Sequence, residues 1–410
     1  MRRKEVSSDN VTGNSSLKLF FVLSLIIGFY ATVTNIIPIS VLPFAVAAIY
    51  YPFIGFRKSS DSIHSSVLLL FIYASINLIT YDPSSFVTPL FYRYDGNFFA
   101  VFTPLLLIGA LTIKTNPDKL FLRFCIFVSI INIPVIALAI LYGTATNGFF
   151  FANNAYGGFS MFPFLIAFLW YWNRKHLLAF IILGIAFIAL LTSYSRGSWL
   201  GVFGALIAFY SYKKDRMWVL YSAIAALILI EASILYFTYP IYLELQNAFA
   251  YASETGGTTK SANLYIRAFD TWPRALHLFL HAPIFGMGTG AVNDVPFVLE
   301  GTWPFMTNSP QEFIHSDSHA HQSFIHILGE WGIVGLFIFL VFLRSIFKYL
   351  KSQTYFLFSR DLLRLSLWSL IFASFTENRL TTPSNAFPFV LALLFYSCAV
   401  AYQKKKEAKE

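Results

Sequence analysis

The sequence predicts an all-α polytopic membrane protein with about twelve transmembrane helices, and three observations lead there. Hydrophobic residues make up 57% of the 410 and charged ones only 12%, about half the charged share of a soluble domain. That leaves too little polar surface to cover a water-soluble particle of this size. The apolar residues gather in runs long enough to approach the roughly 20 residues that a spanning helix needs. The 46 Phe and 23 Tyr suit lipid-facing surfaces and interfacial belts.

In chain order the runs occupy 17–34, 37–55, 65–80, 98–113, 121–142, 157–172, 177–194, 197–212, 217–238, 322–343, 365–377 and 385–402. The first reads as a retained span, because nothing after Leu17-Lys18-Leu19 resembles a cleavable signal. Pro38, Pro43, Pro104, Pro134 and Pro163 predict kinks that neighbouring helices accommodate. Several runs are short, and 365–377 has the weakest span signal of the twelve.

Basic residues set the orientation. With the N-terminus in the cytoplasm, only Arg93, Arg196, Lys260, Arg267, Arg274 and Arg379 of the 29 fall outside. Both termini are therefore expected inside. The formal charge of +9 does not indicate nucleic acid, since the cations lie between apolar spans rather than on one soluble face. Cys125 and Cys398 both sit in apolar runs, so no disulfide framework is expected. Four segments follow: a bundle of about nine helices over 1–238, an outer loop region over 239–320, about three helices over 321–403, and a basic cytoplasmic tail over 404–410. The outer loop is far longer than the others and holds His277, His281, His315, His319 and His321 at its end. Loops of that length are functional or disordered, and the aromatic content of this one predicts folding against the membrane surface.

The outer cations stand against the bias that empties that side. Arg196 lies in Ser195-Arg196-Gly197-Ser198, between two runs joined with almost no loop. An arginine there marks binding or transport; the structural alternative is a snorkelling side chain above a packing helix. Gly197, Gly201, Ala205 and Ala208 form a small-residue stripe that lets another helix come close. Residues 261–281 read as an amphipathic helix on the outer surface. Tyr265, Phe269, Trp272, Leu276 and Phe279 lie on one face, Arg267, Asp270, Arg274, His277 and His281 on the other, and Pro273 interrupts it midway. The pattern serves an interfacial helix equally well as an Arg267–Arg274 phosphate clamp. Gly286-Met287-Gly288-Thr289-Gly290 lacks the strand and helix of a nucleotide loop and reads as a tight turn.

The most informative stretch is His321-Gln322, nine residues, Gly332, two residues, Gly335. On one continuous helix, Gly332 falls within about 20° of His321 and Gly335 within about 40°. The glycines would seat that face against a partner helix and hold the imidazole at the outer mouth, where histidine can move protons. The alternative for His321 is an anchor at a helix end. His315, Asp317, His319 and His321 also permit a metal reading, but their spacing matches no strong ligand signature, and no metal is expected. His319 stands beside His321 as a possible working imidazole. Glu231 and Glu330 are costly in or near spans and are either paired with outer arginines or part of the site.

These residues resemble a known family. His, then Asn, Ser or Gln, nine residues, Gly, two residues, and Gly, Thr or Tyr is similar to the signature of bacterial O-antigen ligases, and His321-Gln322 to Gly332 and Gly335 match it without a gap. Ser195-Arg196-Gly197 and the stretch from Arg267 through Trp272 to His281-Ala282-Pro283 resemble both that family and the related O-antigen polymerases. The resemblance implies a GT-C-like membrane glycosyltransferase at the bacterial inner membrane with a periplasmic site. It would move a glycan from undecaprenyl pyrophosphate to a sugar hydroxyl of lipid A–core, without metal, nucleotide or other cofactor. His321 would be the catalytic base, and Arg196 and Arg267 would bind the pyrophosphate. His319, Arg274 and Gln322 would support them, with Gly332 and Gly335 as a helix-packing motif. The alternatives are a polymerase of the same superfamily and a secondary transporter. Against the transporter, the unusual charges cluster at the outer face and no repeat pairs the two halves.

Overall fold

The computed structural model describes residues 62–81, 101–108, 112–148, 150, 153–244, 267, 271–292, 320–380, 383–408 and 410. Among them are ten α-helices, which we number in chain order. They are α1 (Ser62–Tyr81), α2 (Pro117–Tyr142), α3 (Asn153–Arg174), α4 (Leu177–Thr192), α5 (Arg196–Lys214), α6 (Met217–Glu244), α7 (Trp272–His281), α8 (Ser323–Ser352), α9 (Leu357–Ala373) and α10 (Pro383–Glu407). The described residues include no strand. The windows Ile63–Thr80, Pro117–Tyr142, Met217–Pro240, Ser323–Ser352 and Asn385–Glu407 are long and apolar enough to cross a membrane, so the described residues form a helical structure consistent with a polytopic membrane protein. The expected spans 17–34 and 37–55 lie outside the described residues.

Two expected spans differ from the structure. Over 98–113 there is no continuous helix: Thr103–Leu107 is a 3-10 turn with Pro104 in its first turn, and Ile108 is extended. Proline has no N–H to continue the helical ladder. The run 365–377 is displaced. Its helix, α9, starts at Leu357 and ends at Ala373. Arg360, Asp361 and Arg364 can enter that helix because Asp361 pairs with Arg360 at 2.9 Å and with Arg364 at 3.9 Å. The early end leaves residues 374–380 as a turn.

The small-residue stripe acts as its spacing predicts. A β-carbon on Gly201 would lie 2.6 Å from the Ser369 carbonyl oxygen, and one on Gly204 would lie 2.0 Å from the Phe372 ring. Only hydrogen at these positions lets α5 lie directly on α9. That close packing delivers the start of α5 to the turn that follows α9.

Helix α8 is broken at Gly332, which has φ 63 and ψ −165. The backbone groups released there are taken up by the segment after α7. Ile333 N–H donates to the Pro283 carbonyl at 2.9 Å and Val334 N–H to Ile284 at 3.1 Å. In return, Met287 and Gly288 donate to the carbonyls of Gly329 and Glu330, and Tyr73 Oη of α1 donates to the Trp331 carbonyl at 2.6 Å. A broken helix at membrane depth survives only with such compensation. The glycine run 286–290 is therefore a turn, as expected, and its function is to lock the break. A β-carbon on Gly286 would come within 2.1 Å of the Glu330 carbonyl oxygen.

The described part of the surface-helix region, Arg267 and α7, is docked into the protein. Arg274, expected on the polar face of a surface helix, is only 1% exposed, and Trp272 of the apolar face 4%. α7 packs on α8, where the bare Gly329 admits the Ala275 carbonyl, and His277 Nδ1 meets Tyr239 Oη of α6 at 3.2 Å. Within the described residues, Pro273 is the second residue of α7. It occupies the first turn, where a missing N–H costs nothing.

Candidate functional site

The site forms where α8 begins and the turn after α9 passes beneath it. His321 precedes α8 at φ 51, in the left-handed region that costs a residue with a β-carbon about 1–2 kcal/mol. Its surroundings hold it there. Gln322 caps α8, its Oε1 accepting from Ile325 N–H at 2.6 Å, and Ser323 N–H donates to the Ser374 carbonyl at 2.9 Å. On the other side, Ala320 N–H donates to His326 Nδ1 at 3.4 Å.

The expected shared face of His321, Gly332 and Gly335 is overturned. His321 lies outside the helix and Gly332 interrupts it, so helical periodicity does not connect the three. Gly335 instead accommodates Trp331 and Tyr73, which a β-carbon would approach to 2.1 and 2.8 Å.

The residue that joins the site is Glu377, in the turn after α9 and 7% exposed. Its Oε1 accepts from Arg267 Nη2 at 2.5 Å and from Asn154 Nδ2 at 3.3 Å. Its Oε2 lies 3.1 Å from His321 Nδ1. Arg267 also donates through Nη1 to the Thr376 carbonyl at 2.8 Å. Burial alone would raise the Glu377 carboxyl. The Arg267 guanidinium, with help from His321 and Arg379, outweighs burial and holds it well below the usual carboxylate range. An ionised, acceptor-only carboxylate accepts a hydrogen bond from the Nδ1–H of a neutral imidazole, so the base lone pair falls on Nε2.

A second arginine fixes the turn from below. Arg379 is 2% exposed and donates to the Asn154 carbonyl at 2.8 Å, to Asn385 Oδ1 at 2.6 Å and to Ser195 Oγ at 2.8 Å. Its donors thus tie α3, α10 and the start of α5 to the turn. Directly above, a β-carbon on Gly197 would lie 2.8 Å from Thr376 Oγ1 and 2.9 Å from Glu377 Cγ. Arg196, the first residue of α5, is exposed beside them and makes no ion pair with any described residue.

Of the residues singled out in the sequence, the structure brings Arg196, Arg267, His321 and Gln322 to this one place. Arg274 is buried in α7, away from the solvent face. His319, with His315 and Asp317, lies outside the described residues. Glu231 and Glu330 each have a polar partner other than an arginine. Glu231 Oε2 accepts from Gln322 Nε2 at 2.7 Å, and Glu330 pairs with His326 at 3.3 Å. Glu377 is the residue that sequence reasoning missed. The available signal was the polar run Thr376-Glu377-Asn378-Arg379 closing the shortest apolar stretch, since ionisable residues within spans mark function.

A groove of about 1180 Å³ begins at Gln322, next to His321, and continues between α6, α8 and α9. Glu231, Leu235 and Phe375 line its site end, and Arg344, Lys348, Lys351 and Arg364 its far end.

Residues 181–340 match the family model described as O-antigen ligase. The match takes in Arg196, Arg267, His321, Gly332 and Gly335 and stops before Glu377. No curated protein sequence matches the chain.

Proposed function

From a chain whose residues 181–340 carry the O-antigen ligase family domain, we propose a metal-independent glycan transfer at the periplasmic face of the bacterial inner membrane. The donor is a glycan on undecaprenyl pyrophosphate and the acceptor is a sugar hydroxyl of lipid A–core, as in lipopolysaccharide assembly. Both termini and the basic tail face the cytoplasm.

One observation carries this reading: Glu377 holds a guanidinium and an imidazole on its two oxygens. The transfer needs those two groups together. Pyrophosphate is already a good leaving group, so the protein has to stabilise the charge it develops and to activate the incoming hydroxyl. Arg267 spends two of its five N–H donors on Glu377 and Thr376 and keeps others for phosphate oxygens. Arg196 adds a second, exposed cation. His321 Nε2 takes the proton as the acceptor oxygen attacks the anomeric carbon. The bond between that carbon and the pyrophosphate oxygen breaks, and undecaprenyl pyrophosphate leaves as the anion. Donors fixed before the reaction need no reorganisation while charge moves.

Glu377 also sets the distance between the two functions. It keeps Arg267 from collapsing onto the imidazole and directs Nε2 away from the carboxylate. Gln322 orders the start of α8 beneath His321 and ties it to Glu231.

The test mixes purified protein with undecaprenyl-pyrophosphate glycan and lipid A–core in EDTA, comparing wild type with His321→Ala. Glycosylated core from wild type alone supports the assignment. Transfer retained by His321→Ala removes the base. Lengthening of a carrier-linked glycan, with no product on the core, would instead assign the polymerase reaction.

A further inference from the structure

The groove has two chemically different ends. From Met217 to Leu235 its α6 wall runs 18 residue steps, a rise of about 27 Å and nearly a full membrane thickness. The middle is apolar, lined by side chains such as Ile228, Leu336 and Leu340. Arg344, Lys348 and Lys351 follow at four- and three-residue steps along one face of α8, and all three are exposed. None of them is in an ion pair with a described residue. Arg364 of α9 joins them from across the groove, its guanidinium 4.2 Å from the Tyr212 ring centre. The anionic groups near these cations are Asp215, which lines the groove, and Asp361, which is engaged by Arg360 and Arg364.

The groove exists because α6 stands away from the bundle. Only 6% of its apolar window is buried, against 78% for that of α10. An apolar slot of this size, open beside lipid, fills with hydrocarbon. The cluster at its end adds a requirement for negative charge at headgroup depth.

We propose that this groove is a binding site for an anionic phospholipid. Its headgroup phosphate is held by Arg344, Lys348, Lys351 and Arg364, and its acyl chains lie between α6 and α8 towards Gln322. The proposed function enters only in assigning the cytoplasmic leaflet to the basic end. Lipid binding is read without glycan donor or acceptor, so its failure and the failure of glycan transfer are separate results.

The experiment reconstitutes the full chain in phosphatidylcholine nanodiscs doped with phosphatidylglycerol and counts retained lipid by native mass spectrometry. Two triple variants are compared with wild type. Arg344→Gln/Lys348→Gln/Lys351→Gln removes three charges from the groove. Lys404→Gln/Lys405→Gln/Lys406→Gln removes three from the exposed end of α10, outside it.

The expected result is one phosphatidylglycerol retained by wild type. With each cation near the surface contributing about 1 kcal/mol, or about a factor of five, the groove variant binds roughly a hundredfold more weakly. The tail variant stays within about threefold of wild type, its charges being exposed and screened. Equal losses in the two variants would reduce the effect to diffuse surface charge and overturn the site, as would full retention in the groove variant. Occupancy by a polyprenyl phosphate to the exclusion of phosphatidylglycerol would overturn it too, giving the groove to a polyprenyl lipid. Should the groove variant fail to fold, wild type still decides. Acyl-brominated phosphatidylglycerol must quench the emission of groove-lining Trp368, identified by its loss in Trp368→Phe, and no quenching sinks the proposal.

Discussion

Glu377→Gln separates charge from shape at the centre of the site. Glutamine is nearly isosteric with glutamate, so the turn after α9 keeps its packing. Arg267 still requires an acceptor where Oε1 now sits, 2.5 Å from Nη2, and this orients the amide oxygen towards the guanidinium. The amide nitrogen is left facing His321 Nδ1, at the position 3.1 Å away now held by Oε2. An NH2 there is a donor, so Nδ1 must accept and the imidazole proton moves to Nε2. The nitrogen that should take the acceptor's proton then already carries one. We expect kcat to fall by about 10²- to 10⁴-fold, the usual range for losing a positioned base. Stability falls as well, because a buried cation loses its counter-ion. A complete break costs about 3–5 kcal/mol. Retained hydrogen bonds and the 19% exposure of the Arg267 side chain reduce this to about 3 kcal/mol. Unfolding entropy of about 2.1 cal/mol/K per residue over 410 residues converts that to a Tm drop of about 3–4 °C. Single-turnover transfer with purified substrates, beside a thermal melt in the same detergent, measures both. A variant with the lowered Tm but a rate within about threefold of wild type would refute the tautomer argument. Unchanged Tm and rate would refute the ion pair itself.

Other expectations follow from the same geometry. The Glu377 carboxyl is held below its unfolded value near 4.3, so its stabilisation is complete above that pH and is lost as pH falls through the folded value. The Tm difference between wild type and Glu377→Gln should therefore shrink as pH falls below about 4; a difference that stays unchanged through that acid range would count against it. Arg196→Ala should cut transfer by about 10²- to 10³-fold, as removal of one charge-stabilising donor does. Its Tm should stay nearly unchanged, because the side chain is exposed. Arg379→Ala should lower Tm by several degrees, since it leaves Ser195, Asn385 and the Asn154 carbonyl without their buried donor; unchanged melting would contradict that role. Gly332→Ala should destabilise by about 2 kcal/mol or more. It adds a left-handed alanine and a β-carbon 2.5 Å from Gly286 N. Protease sensitivity of the 282–290 turn would report it.

Much of this protein is written in local patterns. Apolar runs located most of the described helices because each backbone group in lipid must be satisfied within its own segment. The small-residue stripe in α5 announced a close neighbour, and α9 is that neighbour. Arg196 and Arg267 stood out against the charge bias and His321 through its motif, and the chain brings all three to one turn. Helical periodicity misled where it was extended through Gly332. The continuity of α8 depends on the 282–290 segment, and no count along α8 contains that information. Arg274 is buried for a similar reason: an amphipathic pattern says that a helix has two faces, not that protein rather than water covers the polar one.

Tertiary structure alone decided the partner of Arg267 and His321. Glu377 lies 110 and 56 residues away from them, and a carboxylate leaves no mark in the sequence around a distant guanidinium. The groove beside the site is likewise set by how far α6 stands from α8. Sequence fixes which groups need water, lipid or a counter-charge, because those needs belong to the residue and its immediate neighbours. Which distant group answers each need depends on how the helices pack, and that is settled only when the chain is folded.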